Sequence, residues 1–265
     1  MPRADPVITL TTDFGQVSPY LAAMKGVILG IQPAARLVEL SATIPPQDVR
    51  HAAFFLAAAV PYFPPETLHV VVVDPGVGGN RAILYVEMAG HRLLVPDNGC
   101  WTWLGAPDAS PSKVIAVREP RYRRETISAT FHGRDIFAPV AGHLACGLNP
   151  VKLGPPVDTW VRLERPRPRP LAKGWQGEVL FVDHFGNLIS NIPADSTWLA
   201  PAILRVGKRA VRRFRWVRSY AEAKAGQTVA LISSNGNLEV AVVQGNAARR
   251  LRARVGTPLA VEWPG

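Results

Sequence analysis

The sequence predicts an α/β domain with a mostly parallel or mixed sheet, followed by a small all-β, barrel-like domain. Strand-like and helix-like segments alternate through about the first 160 residues. Residues 68–73 (LHVVVV) form a continuous apolar run, which is typical of a strand buried on both faces of a sheet. Beyond residues 164–170, which are rich in proline, short strands separated by turn residues favour a β domain.

The N-terminal elements are predicted from hydrophobic periodicity and from the turn residues that end them. The predicted strands cover residues 7–11, 37–40, 68–73, 82–87 and 92–95. The predicted helices cover residues 20–31, 47–62 and 136–146. Residues 89–91 (Ala-Gly-His) separate the last two strands and predict a hairpin.

The stretch in which arginine alternates with proline, residues 165–170, marks a domain boundary. This composition is typical of an extended linker. We therefore expect an α/β domain at residues 1–163, a linker at 164–172 and a β-barrel domain at 173–265. The strands predicted in the second domain cover residues 177–182, 203–206, 228–233, 238–243 and 259–263.

Composition limits the classes of function. The 265 residues are 48% hydrophobic, which is enough for a buried core, and no apolar run of about twenty residues could span a membrane. The first residues lack the apolar stretch of a signal peptide, so we expect a cytoplasmic protein. Cys100 and Cys146 lie outside any metal-binding spacing, so we expect two buried free thiols and no metal site.

The formal net charge of +10 raises nucleic-acid binding as an alternative. Much of this charge lies in three clusters, at residues 162–169, 205–218 and 249–254. The first cluster fits a linker, and a solvated basic face is more common than a specific nucleic-acid site. We therefore expect no specific nucleic-acid partner.

Polar clusters follow the predicted strands where each strand gives way to a loop, which is where open α/β sheets bind ligands. They are T-T-D-F-G at residues 11–15, D-P-G-V-G-G-N-R at 74–81, F-H-G-R-D at 131–135 and V-D-H-F-G-N-L-I-S-N at 182–191, with S-S-N-G at 233–236 in the second domain. Taken singly, each has a structural alternative. Asp74 could merely shape a turn, Asp13 could cap a helix, Arg81 could be a surface cation and His132 a core histidine.

Taken together and in this order, with P-D-N-G at residues 96–99, the clusters resemble the S-adenosyl-L-methionine (SAM) hydroxide adenosyltransferases. The resemblance covers almost the whole chain. These enzymes split SAM with water into adenosine and methionine, and they are related to the SAM-dependent fluorinase and chlorinase. The resemblance implies an N-terminal α/β domain, a C-terminal β-barrel, and no metal or redox cofactor.

The resemblance also implies the roles of individual residues. Asp74, Arg81 and His132 match the residues that position and polarise the attacking water. A sulfonium is already a good leaving group, so the reaction needs a water held in line with the C5′–S bond and a group that draws off its proton. A carboxylate or a histidine can take that proton, whereas an arginine stays protonated. The sequence leaves open whether Asp74 or His132 does so.

Further positions match substrate contacts of the family. Asp13 matches the carboxylate on the ribose hydroxyls, whereas Asp183 and Ser234 match residues around the methionine amino and carboxylate groups. Asn187 matches an adenine contact and Phe185 a nearby wall, and the backbone around Asn246 and Ala247 matches an adenine-binding segment. Gln47 departs from the family pattern, because it falls where the halogenases carry a tryptophan beside the ribose. The resemblance further implies a homotrimer with the active site between neighbouring subunits.

Three alternatives remain open from the sequence. A SAM-dependent halogenase would use chloride or fluoride, but the Asp74 carboxylate would repel a halide, and the fluorinase has tyrosine at this position. Against this, Gly133 is compatible with chloride binding. A non-catalytic SAM or adenosine sensor would not need the three water-handling residues. A basic nucleic-acid-binding module would lose binding steeply with salt.

Overall fold

The computed structural model describes residues 5–106, 108–194 and 203–263. Residues 1–4, to which the expectation about a signal peptide refers, lie outside the described part. The chain divides into two compact units between Leu163 and Glu164. No helix among the described residues is long and apolar enough to cross a membrane.

The N-terminal unit is an α/β structure, as predicted. Its strands are β1 (Val7–Thr12), β2 (Arg36–Ser41), β3 (Leu68–Val72), β4 (Ile83–Met88), β5 (His91–Pro96) and β6 (Lys113–Ala116). Its α-helices are α1 (Tyr20–Ile31), α2 (Val49–Ala59) and α3 (Ala138–Ala145). The strand order is β2-β1-β3-β5-β4-β6. In this order the neighbouring strands β2, β1, β3 and β5 are parallel. Strand β4 runs antiparallel to β5 and β6, so the sheet is mixed.

Helices cover both faces of this sheet because strand β3 is apolar on both. Leu68, Val70 and Val72 pack in one core cluster with residues of α1 and α3. Val71 packs in a second cluster with residues of α2. Alternate side chains of a strand point to opposite faces, so the continuous apolar run seen in the sequence serves two cores.

Local turn chemistry explains where the predicted boundaries shift. The predicted helix at 47–62 starts later, because Gln47 has a φ of 65° and Asp48 caps α2 by accepting a hydrogen bond from the His51 amide. The predicted hairpin is confirmed, with Ala89 and Gly90 at φ values of 52° and 79° joining β4 to β5.

The C-terminal unit is built mainly of strands. They are β7 (Arg169–Leu171), β8 (Gly174–Val182), β9 (Leu188–Pro193), β10 (Ile203–Val206), β11 (Arg209–Val211), β12 (Arg215–Trp216), β13 (Thr228–Ile232), β14 (Asn237–Val242) and β15 (Pro258–Glu262). They follow the path β11-β10-β15-β8-β9-β14-β13-β12, and β7 pairs with β8. One helix, α4 (Ala247–Leu251), follows β14.

The structure adds detail to two of the sequence expectations and corrects a third. The second domain is β-rich rather than strictly all-β, because Asn246 caps the short helix α4 through its side chain. The linker expected at 164–172 contains β7, because an Arg-Pro stretch is already extended and can serve as an edge strand. Cys100 is buried as expected, but Cys146 is exposed because it ends α3 at the protein surface.

Candidate active site

The strand order of the N-terminal sheet places a topological switch point next to Asp13 and Asp74. Strand β2 lies on one side of β1 and strand β3 on the other, so the chain reverses its direction of winding at β1. Ligands of open α/β sheets bind at such a switch point, beyond the carboxyl ends of the strands. Asp13 directly follows β1 and Asp74 follows β3 by two residues, so the parallel pairing brings both carboxylates to this edge.

Asp74, Arg81 and His132 form one hydrogen-bonded group. The Arg81 Nε donates to both carboxylate oxygens of Asp74 at 3.0 and 2.9 Å, and a terminal nitrogen of Arg81 also bonds to Asp74. The same terminal nitrogen lies 2.9 Å from His132 Nδ1. The side chains of Asp74 and Arg81 are only 4% and 13% exposed. Arg81 is therefore no surface cation, and Asp74 does more than shape a turn.

Glycines allow the two loops of this group to approach each other. Gly78 has a φ of 77°, and a Cβ there would lie 2.3 Å from the carbonyl oxygen of Ala129. Only glycine fits this contact between the loop that carries Asp74 and the loop that precedes His132. The glycine-rich composition of residues 74–81 therefore serves close backbone packing.

The bond from Arg81 fixes the protonation state of His132. A guanidinium can only donate, so Nδ1 of His132 must accept, and a neutral ring then carries its proton on Nε2. The pKa of His132 lies below its ordinary value of 6.5 because burial, and next the Arg81 charge, disfavour the imidazolium. His132 is therefore a neutral ring that can donate a hydrogen bond from Nε2.

Asp135 anchors the segment that carries His132, a role that the sequence did not indicate. Its side chain is fully buried. It accepts hydrogen bonds from Arg134 Nε at 2.7 Å and from the Ser128 amide at 2.9 Å. The bond to Ser128 holds the loop that precedes His132 to the π-helical segment Gly133–Phe137, which follows it. Short π-helical segments are frequent at functional sites.

Asp13 is tied to the loop that precedes α2. Its carboxylate accepts a hydrogen bond from the Gln47 amide at 2.8 Å. Helix α1 begins after Pro19 without a side-chain cap, so Asp13 is not its N-cap. The neighbouring Phe14 packs edge-to-face on Phe131 with ring centroids 5.9 Å apart. The segments carrying Asp13 and His132 therefore meet in one place.

The C-terminal unit contains a cavity of about 600 Å³ that brings three predicted substrate-binding residues together. Asp183, Phe185 and Asn187 lie in its wall. The Asn187 amide and its side-chain Nδ2 each donate to the Asp183 carboxylate at 2.8 Å, which closes the turn between β8 and β9. Phe185 is 71% exposed, so its ring is available as a wall for a bound molecule.

Asn246 and Ala247 lie beside this turn. A Cβ on Gly186 would come within 2.1 Å of the Asn246 side chain, and Gly186 has a φ of 85°. The Ala248 amide also donates to the Gly186 carbonyl at 2.9 Å. Two segments about 60 residues apart, both predicted from family resemblance, are thus packed against each other.

Ser234 lies in a different place. It is exposed in the turn between β13 and β14, beside Asn237, which pairs with Pro193 at the end of β9. Asn187 directly precedes β9, so the six-residue strand, ~17 Å long, separates it from this turn. The Ser234 assignment stays a prediction, since it is not among the residues that line the cavity.

Tyr220 also lines the cavity but was missed in the sequence. Its hydroxyl bonds to Glu239, which is 19 positions further along the chain. Tyr220 lies in a short 3₁₀ turn (Tyr220–Glu222) between two strands. Neither residue belongs to a strand-end motif, so no local sequence signal could have linked them.

No group of three or more histidine, cysteine, aspartate or glutamate side chains that could hold a metal ion occurs in the described ranges. The carboxylates of the N-terminal site are instead bonded to arginine and to backbone amides. The charge of Arg81 balances that of the nearly buried Asp74 carboxylate.

Comparison with known proteins identifies the family to which the chain belongs. Residues 8–154 match the model of the SAM hydroxide adenosyltransferase N-terminal domain. Residues 177–260 match the model of the SAM hydroxide adenosyltransferase C-terminal domain. The chain therefore belongs to the SAM hydroxide adenosyltransferase family.

Individual relatives agree with this placement. An (R)-S-adenosyl-L-methionine hydrolase of Salinispora tropica is 38% identical over 260 residues, covering 97% of each chain. A crystal structure of an uncharacterised conserved protein from Thermotoga maritima superposes with a TM-score of 0.89 at 31% identity, covering 96% of this chain and 99% of that one. A fluorinase of Actinoplanes is more distant, with 27% identity over 225 residues and 72% of each chain.

Proposed function

We propose that this protein hydrolyses S-adenosyl-L-methionine to adenosine and L-methionine. The observation that carries this proposal is the buried group of Asp74, Arg81 and His132 at the switch point of the N-terminal sheet. In the reaction a water oxygen bonds to C5′ as the C5′–S bond breaks. The bonding electron pair goes to sulfur, which becomes the neutral thioether of methionine, and the water loses one proton.

The protonation pattern of the group suggests how the water is handled. His132 has its Nδ1 occupied by Arg81, so it offers Nε2–H as a donor to the attacking oxygen. Asp74 has only acceptor atoms, and a carboxylate has lone pairs beyond those that Arg81 uses. We therefore assign the proton to Asp74, with Arg81 holding that carboxylate in position.

The substrate contacts are assigned to the other predicted residues. Asp13 binds the ribose hydroxyls, since its second carboxylate oxygen is not engaged in the bond to Gln47. Asp183 binds the methionine ammonium and Ser234 the methionine carboxylate. The adenine contacts are Phe185, Asn187, Asn246 and Ala247. No cofactor or metal takes part, because the sulfonium leaves without further activation.

The proposal extends to domains and assembly. We assign residues 1–163 to the catalytic domain, 164–172 to a linker and 173–265 to a barrel-like domain. The predicted water-handling residues all lie in one unit and the predicted adenine contacts in the other. The resemblance to the family supports a homotrimer with sites shared between neighbouring subunits. The protein is expected in the cytoplasm without a nucleic-acid partner. A native mass of one chain in solution would contradict the trimer.

The function is tested by incubating the purified protein with SAM in water enriched in heavy oxygen, with and without chloride or fluoride. Adenosine with the heavy oxygen at its 5′ position, formed regardless of halide, would establish water attack at C5′. A 5′-halogenated adenosine would identify a halogenase instead. Tight SAM binding without turnover would identify a sensor.

Turnover is expected to fall at acidic pH only below 6.5. The active form of His132 is neutral, and burial together with Arg81 lowers its pKa below the ordinary 6.5. Activity is therefore present above this lowered pKa and is lost as the pH falls through it. The measurement is kcat/KM for SAM against pH, with His132→Gln as the comparison. An acid limb centred at or above 6.5 would contradict the neutral, donor role.

A further inference from the structure

A chain of hydrogen bonds runs from the cavity wall of the C-terminal unit to Glu239, and it includes two residues, Tyr220 and Glu239, to which the proposed reaction assigns no role. Tyr220 donates its hydroxyl hydrogen to Glu239. The Nδ2 of Asn187 lies 3.4 Å from the Tyr220 hydroxyl and 2.8 Å from Asp183. Glu239 is only 6% exposed, which is unusual for a carboxylate and requires an explanation.

The directions of these hydrogen bonds are fixed by which atoms can donate. Asp183 is a carboxylate that accepts from the Asn187 backbone amide, so the side-chain atom of Asn187 that faces it is the nitrogen. Tyr220 has a single hydrogen and gives it to Glu239, so toward Asn187 its oxygen can only accept. The two hydrogens of the Asn187 amide therefore have partners in Asp183 and Tyr220.

The burial of Tyr220 and Glu239 keeps the hydroxyl hydrogen on Tyr220. The pKa of Tyr220 is raised, first by burial and then by its hydrogen bond to Glu239, so the phenol stays protonated. The pKa of Glu239 is also raised, first by burial, while the bond from Tyr220 opposes that rise. A Glu239 carboxylate can only accept, and a neutral Glu239 still accepts the hydrogen of Tyr220 through its carbonyl oxygen.

We propose that Glu239 and Tyr220 are positioning residues that make the cavity select a purine with an amino group at its 6-position. The hydrogens of the Asn187 amide and of the Tyr220 hydroxyl are already bonded within the chain. The atoms that Asn187 and Tyr220 offer to a bound base are therefore their oxygens, and both oxygens are acceptors. An amino group donates to such a wall. A 6-oxo purine presents an acceptor to it, which leaves polar atoms unpaired.

This inference rests on the proposed function for the identity of the ligand, an adenosyl group. It assigns the ability to distinguish adenosine from inosine to residues outside the motifs from which the function was inferred. The distinction is a property of binding, so it can be measured with nucleosides and without any hydrolysis.

The test measures Kd for adenosine and for inosine by calorimetry on the intact protein and on three variants. The wild-type protein is expected to bind adenosine roughly 10- to 100-fold more tightly than inosine. In Tyr220→Phe the ratio should fall by about tenfold, because the second amide hydrogen of Asn187 loses its acceptor. Glu239→Leu should have the same effect, whereas Glu239→Gln should keep the wild-type ratio, because its amide oxygen can still accept from Tyr220.

Tyr62→Phe is the matched control, because Tyr62 is 80% exposed in the other unit. If Tyr220→Phe weakens adenosine and inosine binding equally, the pair merely supports the fold and the inference is overturned. It is also overturned if the wild-type protein binds both nucleosides equally, even where SAM is hydrolysed. If adenosine is preferred as expected but SAM is not hydrolysed, the inference stands and the proposed function fails.

Discussion

Replacement of Asp74 by alanine should lower the turnover of SAM by roughly 10²–10³-fold and weaken SAM binding only a few-fold. Asp74 holds Arg81 through both carboxylate oxygens, and Arg81 in turn bonds to His132. Without the carboxylate, the guanidinium is a nearly buried cation without its counter-charge, and the attacking water loses its proton acceptor. Both effects act on the reacting water rather than on the nucleoside.

The comparison is made by single-turnover rates together with Kd for SAM. Asp74→Asn separates charge from shape, because its amide nitrogen and Arg81 cannot both donate to each other. It should therefore be nearly as slow as the alanine variant. Asp5→Asn is the matched control, because Asp5 pairs with Arg36 at 3.3 Å with both side chains largely exposed. Near wild-type turnover in both Asp74 variants would overturn the assigned role.

The sequence was sufficient to predict most of the N-terminal sheet because its signals are local. The apolar run at residues 68–73 identified a strand buried on both faces, and helix α1 was predicted at its observed bounds, Tyr20–Ile31. The strand-end motifs located Asp13, Asp74 and Arg81 because parallel strands end at one edge of the sheet. The edge strand β6 (Lys113–Ala116) was missed, since a four-residue strand carries little periodicity.

The C-terminal unit was harder to predict, because its contacts join distant residues. The segment that became strand β9 (Leu188–Pro193) was read as part of a polar loop, although its residues are mostly buried. Asn191 illustrates the reason, because its buried amide is hydrogen-bonded to the Glu178 backbone. A polar residue in a strand looks like a loop residue until its partner is known.

The structural role of Asp135 was also hidden in the sequence, because it depends on contacts that form only in the folded chain. It belongs to the F-H-G-R-D motif at residues 131–135, and the resemblance drew attention only to His132. The importance of Asp135 lies in bonds to Ser128 and Arg134, which become visible only when the loop is folded. The complete burial of the Asp135 carboxylate indicates a structural role, and only the folded structure shows that burial.

Replacement of Asp135 by asparagine should therefore reduce both stability and turnover. The variant keeps the size of the side chain but replaces one of the two carboxylate oxygens that accept from Arg134 and the Ser128 amide, and it removes the negative charge. The expected cost is about 1–3 kcal/mol in the free energy of unfolding. Because these bonds place the segment that carries His132, kcat should also fall while KM for SAM changes little. Urea unfolding and steady-state kinetics measure the two effects.

The pH dependence of the stability loss distinguishes this explanation from a loss of packing. The pKa of Asp135 lies below its ordinary 3.8, first because of the bond from Arg134, so its charge stabilises the folded state above that value. The difference between wild type and Asp135→Asn should be constant near neutral pH and shrink as the pH falls below 3.8. Glu119→Gln, which removes a carboxylate bonded to the exposed Arg121, should cost little at any pH. A difference that persists in acid would show that the loss comes from the hydrogen bonding of the introduced amide rather than from the missing charge.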